Sequence, residues 1–175
     1  MRIFHQWILA IALYFALVLD GVVSMVLQRW LPSCSSLLLL TAVILIALFD
    51  DMNGKEIYLA LGAGVVADIY FLGFLGVYTV SLPLLAWLCQ KFARFLPETF
   101  WARLVIVILG MLLMQIYSFA ILTVIGLTNV GLIALLKNLG TSLVLTIIWT
   151  IATYSLWGRL AESYPFLVDL DAYRQ

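Results

Sequence analysis

Long apolar runs separated by short polar segments make up most of this chain. The six runs cover residues 7-27, 35-49, 57-73, 77-91, 102-126 and 136-157. A bilayer core about 30 Å thick needs about 20 helical residues, so the first, fifth and sixth runs are long enough to cross it. The second and fourth runs are short, and each is either a full span or a re-entrant, half-buried helix. The pattern predicts an all-α integral membrane protein, built as one polytopic domain of six transmembrane helices with a polar tail at 158-175.

Composition supports the membrane assignment. Hydrophobic residues make up 66% of the 175 positions and charged residues only 10%, whereas soluble domains carry about 25% charged residues. The formal net charge is zero, so no basic patch suggests a nucleic-acid partner. The apolar run that begins at Trp7 resembles a signal peptide, but no small-x-small cleavage site follows it, and it is better interpreted as an uncleaved first span.

The lysines and arginines predict the orientation of the six segments. Cytoplasmic loops of membrane proteins are enriched in these residues. With the amino terminus inside, the inner loops and helix ends carry seven of the nine cations, namely Arg2, Lys55, Lys91, Arg94, Arg103, Arg159 and Arg174. The outer side carries only Arg29 and Lys137. Six spans with both termini in the cytoplasm, including the tail at 158-175, are therefore predicted.

One carboxylate lies inside the third apolar run. Asp68 is flanked by apolar residues on both sides, and an aspartate at the centre of a spanning helix costs about 2.5 to 3.5 kcal/mol. Such a residue is a candidate functional or assembly site with a partner to be identified. The glycines around it, Gly62, Gly64, Gly73 and Gly76, predict close helix approach and a tight reversal between the third and fourth segments.

A second aspartate, Asp20, is predicted to lie at a similar depth. Asp20 is about 13 residues and Asp68 about 11 residues from the inner end of its segment, so both reach the outer half of the bilayer at 1.5 Å per residue. Other polar residues are expected near that level, and the predicted cluster comprises Asp20, Asp68, Gln115, Lys137, Asn138 and Ser142. The aspartates either hydrogen-bond neighbouring hydroxyls and amides to hold helices together or serve transport or ligand binding. For Asp68, the candidate donors are Lys137, Asn138, Ser142 or a backbone amide of the turn at 72–76.

Catalytic and metal chemistry find little support in the sequence. The only histidine, His5, is expected at the membrane interface, and no Cys/His cluster suggests a metal site or cofactor. Cys34 and Cys89 are predicted on opposite sides of the membrane, which excludes a disulfide between them. No nucleophile elbow or phosphate-binding loop is present. An intramembrane protease built from Asp20 and Asp68 is the remaining enzymatic alternative, and a non-enzymatic protein is favoured.

The spacing Gly64-x3-Asp68-x7-Gly76, preceded by Gly62 and followed by an apolar segment, resembles the core motif of the rod shape-determining MreD family. The resemblance implies a non-enzymatic scaffold in the inner membrane of a bacterium, within the machinery that elongates the cell wall. It implies binding to MreC, a bitopic protein with a periplasmic domain. Through MreC it implies coupling to the glycosyltransferase RodA, its partner penicillin-binding transpeptidase and the MreB filament.

The same family resembles the substrate-binding components of energy-coupling-factor vitamin transporters, which are six-helix bundles. This likeness implies the six-helix architecture and supplies the alternative function, the binding of a small vitamin-type molecule. Asp20, Asp68, Gln115, Tyr117 and Asn138 would then be ligand candidates. The outer loops at 28-34 and 127-135 are short and have few side chains that could form a ligand lid, which disfavours this alternative.

Overall fold

All regular elements in the described part of the chain are helices. The structure, a computed structural model, describes residues 2–29, 37–49, 54–93, 95, 99–126 and 132–164, and it describes their side chains except at 2–6, 132–137 and 162. The helices are α1 (Arg2–Gln28), α2 (Leu38–Phe49), α3 (Glu56–Ala67), α4 (Tyr78–Ala93), α5 (Phe100–Val124) and α6 (Leu132–Ser163), and a π-helical turn at Asp68–Leu72 extends α3. Each apolar run of the sequence forms one helix, so the all-α prediction is confirmed for these residues.

Three of the described helices are long and apolar enough to cross a membrane. They are Trp7–Gln28, Phe100–Val124 and Asn138–Ala161. Helix α2 has 12 residues, about 18 Å at 1.5 Å per residue, and is too short to cross a core of about 30 Å as a straight helix. Length and composition thus identify three candidate spans among the six helices.

Helix α2 forms the centre of the molecule. All its residues from Leu38 to Leu48 are buried, and it packs against α1, α4, α5 and α6. A helix that is apolar on every side is stable where other elements or lipid surround it, and the sequence of α2 has no polar face. Helices α1, α4, α5 and α6 therefore enclose this short segment, and the bundle is not a ring of equal spans.

Helices α3 and α4 form a tight hairpin, as the glycine spacing predicts. A Cβ atom on Gly64 would lie 2.5 Å from the carbonyl oxygen of Tyr78, so only glycine allows the two backbones to approach this closely. In the reversal, Gly73 and Gly76 have φ angles of 74° and 136°, a region that side-chain-bearing residues rarely adopt. The C-terminal end of the π-helical turn is closed by the Gly73 N–H, which donates to the Asp68 carbonyl oxygen at 2.9 Å.

Gly62 does not have the internal packing role expected for it. A Cβ atom at this position would meet no described atom within 4 Å, because Gly62 lies on the face of α3 turned away from α4. It instead lines a cleft between α1 and α3. Of the two neighbouring glycines, Gly64 alone serves the contact between α3 and α4.

Aromatic residues join three helix ends at one end of the bundle. The Arg103 guanidinium, at the start of α5, lies 4.0 Å from the centre of the Phe49 ring and donates a hydrogen bond to the Tyr154 hydroxyl at 3.0 Å. Tyr154 also packs edge-on against Phe100, with ring centres 4.9 Å apart. The end of α2, the start of α5 and the last turns of α6 therefore meet here. We call this end of the bundle the aromatic end.

Candidate functional site

Asp68 is completely buried and accepts four hydrogen bonds. Its Oδ1 atom accepts from the backbone N–H of Tyr78 at 2.7 Å. Its Oδ2 atom accepts from the backbone N–H groups of Gly76 at 2.8 Å and Thr79 at 2.9 Å, and from the Thr79 hydroxyl at 2.7 Å. The carboxylate has 0% exposure. It lies at the end of α3 and satisfies donors at the beginning of α4.

The chain conformation explains why this carboxylate reaches those donors. The first N–H groups of a helix have no partner within the helix, and α4 begins at Tyr78 beside the buried Val77. The π-helical turn and the two left-handed glycines bring α4 back beside α3. A side chain ten residues upstream thereby does what an N-cap residue normally does from the adjacent position. A negative charge here also interacts favourably with the helix dipole.

Asp20 performs the same task for α2. Its Oδ1 atom accepts from the backbone N–H of Leu38 at 3.1 Å and its Oδ2 atom from that of Leu39 at 3.3 Å. Asp20 is 6% exposed. The residue before the helix, Leu37, has a φ angle of 50°, which is uncommon for a leucine and costs of order 1–3 kcal/mol. The two hydrogen bonds that Asp20 accepts support the start of α2 next to this strained residue.

The two capped helix starts lie at the same end of the bundle. The Tyr70 ring, in the π-helical turn, packs against Gly21 of α1, where an added Cβ would be 2.8 Å from it. Asp20 and Asp68 are therefore on neighbouring elements at a similar level. We call this end the capped end, and each of its aspartates holds the first turn of one short helix.

The remaining residues of the predicted polar cluster lie between α5 and α6. The Gln115 side-chain amide donates to the Ser142 hydroxyl at 3.3 Å, and that hydroxyl donates to the Asn138 Oδ1 atom at 3.4 Å. These residues contribute none of the four hydrogen bonds that Asp68 accepts, because α6 packs mainly on α2 and α5 whereas α3 packs mainly on α4. The side chain of Lys137 is outside the described part of the structure, as is Cys34.

Several partners of the aspartates were not foreseen from the sequence. The Gly76 amide belongs to the turn that was expected to supply a donor, but Tyr78, Thr79, Leu38 and Leu39 were not candidates. The shortness of the second and fourth apolar runs was the sequence signal for these partners. A short helix that begins inside a membrane needs an acceptor for its first N–H groups. The contact between Tyr117 of α5 and the glycine reversal was also not predicted. The Tyr117 hydroxyl donates to the Gly76 carbonyl oxygen at 3.0 Å.

A third buried carboxylate, Glu56, lies in the first turn of α3. It is 2% exposed and lines a small cavity with apolar residues of α1, α2 and α4. An acidic residue in the first turn of a helix interacts favourably with the helix dipole. The sequence had not singled out Glu56, because its position next to Lys55 resembles an ordinary interfacial residue.

The described side chains offer mainly structural chemistry. An ionised carboxylate accepts about four hydrogen bonds, so the four donors on Asp68 use its capacity. Within the described ranges, no group of three or more His, Cys, Asp or Glu side chains could hold a metal ion. Cys89 is buried and not in a disulfide. The two aspartates of the capped end accept hydrogen bonds from backbone N–H groups at the starts of two helices.

Comparison with known proteins identifies the family. The family model described as rod shape-determining protein MreD matches residues 1–160. No curated protein matches the chain, and no solved structure matches it. The family match covers the six helices almost completely, including both aspartates and the glycine hairpin. The chain therefore belongs to the rod shape-determining MreD family, which gives it a role in the determination of rod shape.

Proposed function

We propose that this protein is a non-enzymatic membrane scaffold of the bacterial cell-wall elongation machinery. It would bind an MreC-like bitopic protein and help couple a RodA-type glycosyltransferase and a penicillin-binding transpeptidase to the MreB filament. Family membership carries this proposal. The use of Asp20 and Asp68 as internal helix caps supports it, because their hydrogen-bonding groups serve the fold instead of a substrate.

The partner would associate laterally, helix against helix. Lipid supplies no hydrophobic drive between transmembrane helices, so such contacts depend on close packing and small residues. The long helices leave many large apolar side chains exposed, among them Phe15 on α1, Leu113 on α5 and Ile148 on α6. These faces contact lipid or partner helices.

The proposed topology has six membrane segments and both termini in the cytoplasm, in a bundle like that of the vitamin-binding components. The cation distribution favours it. The aromatic end supports it too, because the end of α2, the start of α5 and the end of α6 meet there, as expected for helices that alternate in direction. The buried α2 would cross only part of the membrane thickness as a helix, with its start held by Asp20.

The alternative is a vitamin-binding transporter component. Its ligand candidates are committed to other contacts in the structure: Asp20 and Asp68 accept from backbone amides, and Gln115 donates to Ser142. We therefore favour the scaffold.

Affinity purification separates the two functions. The tagged protein should be extracted from its native membrane in mild detergent, and co-purifying proteins should be identified by mass spectrometry. We expect recovery of a bitopic MreC-like protein together with cell-wall synthases. Recovery of paired ATPases without the bitopic protein would contradict the scaffold and favour the transporter component.

A further inference from the structure

A cleft of about 390 Å³ separates the first part of α1 from α3. Its lining includes the small residues Ala10, Gly62 and Ala63 and the aromatic residues Trp7, Tyr14 and Tyr58. The three aromatic side chains are substantially exposed. We call this feature the α1–α3 cleft.

The cleft is one bilayer leaflet deep. Its lining runs from Trp7 to Leu17 on α1 and from Tyr58 to Val66 on α3, about 15 Å and 12 Å at 1.5 Å per residue. Beyond Val66 the cleft ends, because Tyr70 packs against Gly21 and joins the two elements. Half of a core about 30 Å thick is about 15 Å. The dimensions therefore suit a lipid chain from one leaflet better than a partner helix, which would cross both.

The open end of the cleft has the features of a headgroup region. Trp7 and Tyr58 lie there, and such amphipathic rings favour the membrane–water interface. Lys55 is exposed one turn before Tyr58, on the face of α3 that also carries Gly62. The described cations Lys91, Arg103 and Arg159 lie on helix ends that point the same way in the proposed topology. Positive charge near the membrane surface attracts anionic lipids, by about 1 kcal/mol per residue.

We propose that the α1–α3 cleft binds one acyl chain of an anionic phospholipid from the leaflet at the aromatic end, with its phosphate near Lys55. The absence of a side chain at Gly62 leaves room for the acyl chain. Lipid binding would thus explain the glycine at this position, which has no packing role within the protein. Bound lipid fills the space between α1 and α3 while their capped ends stay in contact. The proposal rests on residence in a bilayer and does not depend on the identity of the protein partner.

Two matched glycine variants test this proposal. Gly62 and Gly140 are both exposed helical glycines whose added Cβ would meet nothing within 4 Å, but only Gly62 lines the cleft. The full-length protein in detergent should be titrated with palmitoyl-oleoyl phosphatidylglycerol or the matching phosphatidylcholine, and bound lipid measured by native mass spectrometry. We expect Gly62→Leu to lose the most tightly retained phosphatidylglycerol severalfold and Gly140→Leu to retain it. Val66→Phe, which narrows the closed end of the cleft, should resemble Gly62→Leu.

The headgroup contact is tested by Lys55→Gln. This variant should lose the preference for phosphatidylglycerol over phosphatidylcholine and still bind lipid. Equal retention by wild type, Gly62→Leu and Val66→Phe would overturn the proposal. So would normal lipid retention in Gly62→Leu with selective loss of a co-purifying membrane protein, since the cleft would then dock a helix. Failure of the wild type to recover an MreC-like partner would contradict the scaffold and leave the lipid result standing.

Discussion

At the scale of single residues, Asp68 is a capping residue acting at a distance in sequence. Its hydrogen bonds bridge 8 to 11 positions along the chain, whereas ordinary N-caps bond to amides two or three residues away. Hydrogen bonds to charged groups contribute about 1.5–3 kcal/mol each when they replace hydration. Because Asp68 is completely buried, its loss would leave the donors at the start of α4 without an acceptor of comparable strength.

Substitution of Asp68 tests this role. Asp68→Asn keeps one oxygen acceptor, which can serve the Oδ2 donors, but it turns an NH₂ group toward the Tyr78 amide. Asp68→Leu removes all acceptors and strands the donors, at about 1–3 kcal/mol for each buried one. We expect Tm to fall in the order wild type, Asn variant, Leu variant, with partner recovery largely kept in the Asn variant. A fully folded Asn variant that loses the partner as completely as the Leu variant would show that the charge itself is needed.

The Thr79 hydroxyl provides a finer test at the same carboxylate. Thr79→Val removes one 2.7 Å hydrogen bond and keeps the β-branched shape and the backbone amide. We expect about 1.5–3 kcal/mol of destabilisation, the contribution of one hydrogen bond to a charged group, measured by thermal unfolding in detergent. Thr123→Val is the matched control, because the Thr123 hydroxyl is exposed and bonds only to the Phe119 carbonyl of its own helix. A larger loss in the control would contradict the cap.

At the scale of elements, both capped helices are short. Helix α2 begins at Leu38 and is buried along its length, so its first N–H groups lie where water is excluded. Asp20 on α1 and Asp68 on the α3 hairpin provide the acceptors from neighbouring elements. Because each aspartate holds a helix start in place, the capped end is defined by hydrogen bonds, and the aromatic end by stacking around Arg103.

The two neighbouring glycines of α3 should respond differently to alanine. Gly64→Ala would place a Cβ atom 2.5 Å from the Tyr78 backbone, so α3 and α4 must separate and the hydrogen bonds to Asp68 lengthen. We expect a loss of at least 1–3 kcal/mol, typical of overpacking. Gly62→Ala meets no obstacle and should be neutral or stabilising by up to about 1 kcal/mol, because alanine is the better helix former. Folded yield and Tm in detergent measure both, and equal destabilisation would contradict the open face at Gly62.

At the scale of the whole molecule, the bundle has two different ends. The capped end carries Asp20, Asp68 and the glycine reversal, and the aromatic end carries Phe49, Arg103 and Tyr154. In the proposed topology the aromatic end faces the cytoplasm, where positive charge is favoured. This orientation leaves the capped end toward the periplasmic side.

Reporter fusions test the proposed topology. Fusions after Gln175 and within 92–100 should both report a cytoplasmic location, because the cation distribution places both segments inside. An alkaline phosphatase fusion that is active at Gln175 would contradict the even number of crossings and would point to a re-entrant second or fourth segment.

The sequence by itself determined the helices and the unusual carboxylate. Apolar runs of this length form helices in a membrane because every backbone group needs an internal partner, so the six runs predicted the six helices, with boundaries that differ by at most six residues. Asp68 was identified because a carboxylate in an apolar segment costs free energy unless it has a partner. The glycine spacing predicted the hairpin. These features depend on local composition and periodicity, which the sequence contains directly.

Only the tertiary structure decided which groups meet. The predicted polar cluster divides into two helix caps and a separate Gln115–Ser142–Asn138 network, because α6 packs on α2 and α5 while α3 packs on α4. The distinct roles of Gly62 and Gly64 depend on which face of α3 meets α4. Lipid contacts all apolar helix faces about equally well. Which helices pack together therefore depends on the shapes of their surfaces and on a few hydrogen bonds between residues distant in sequence.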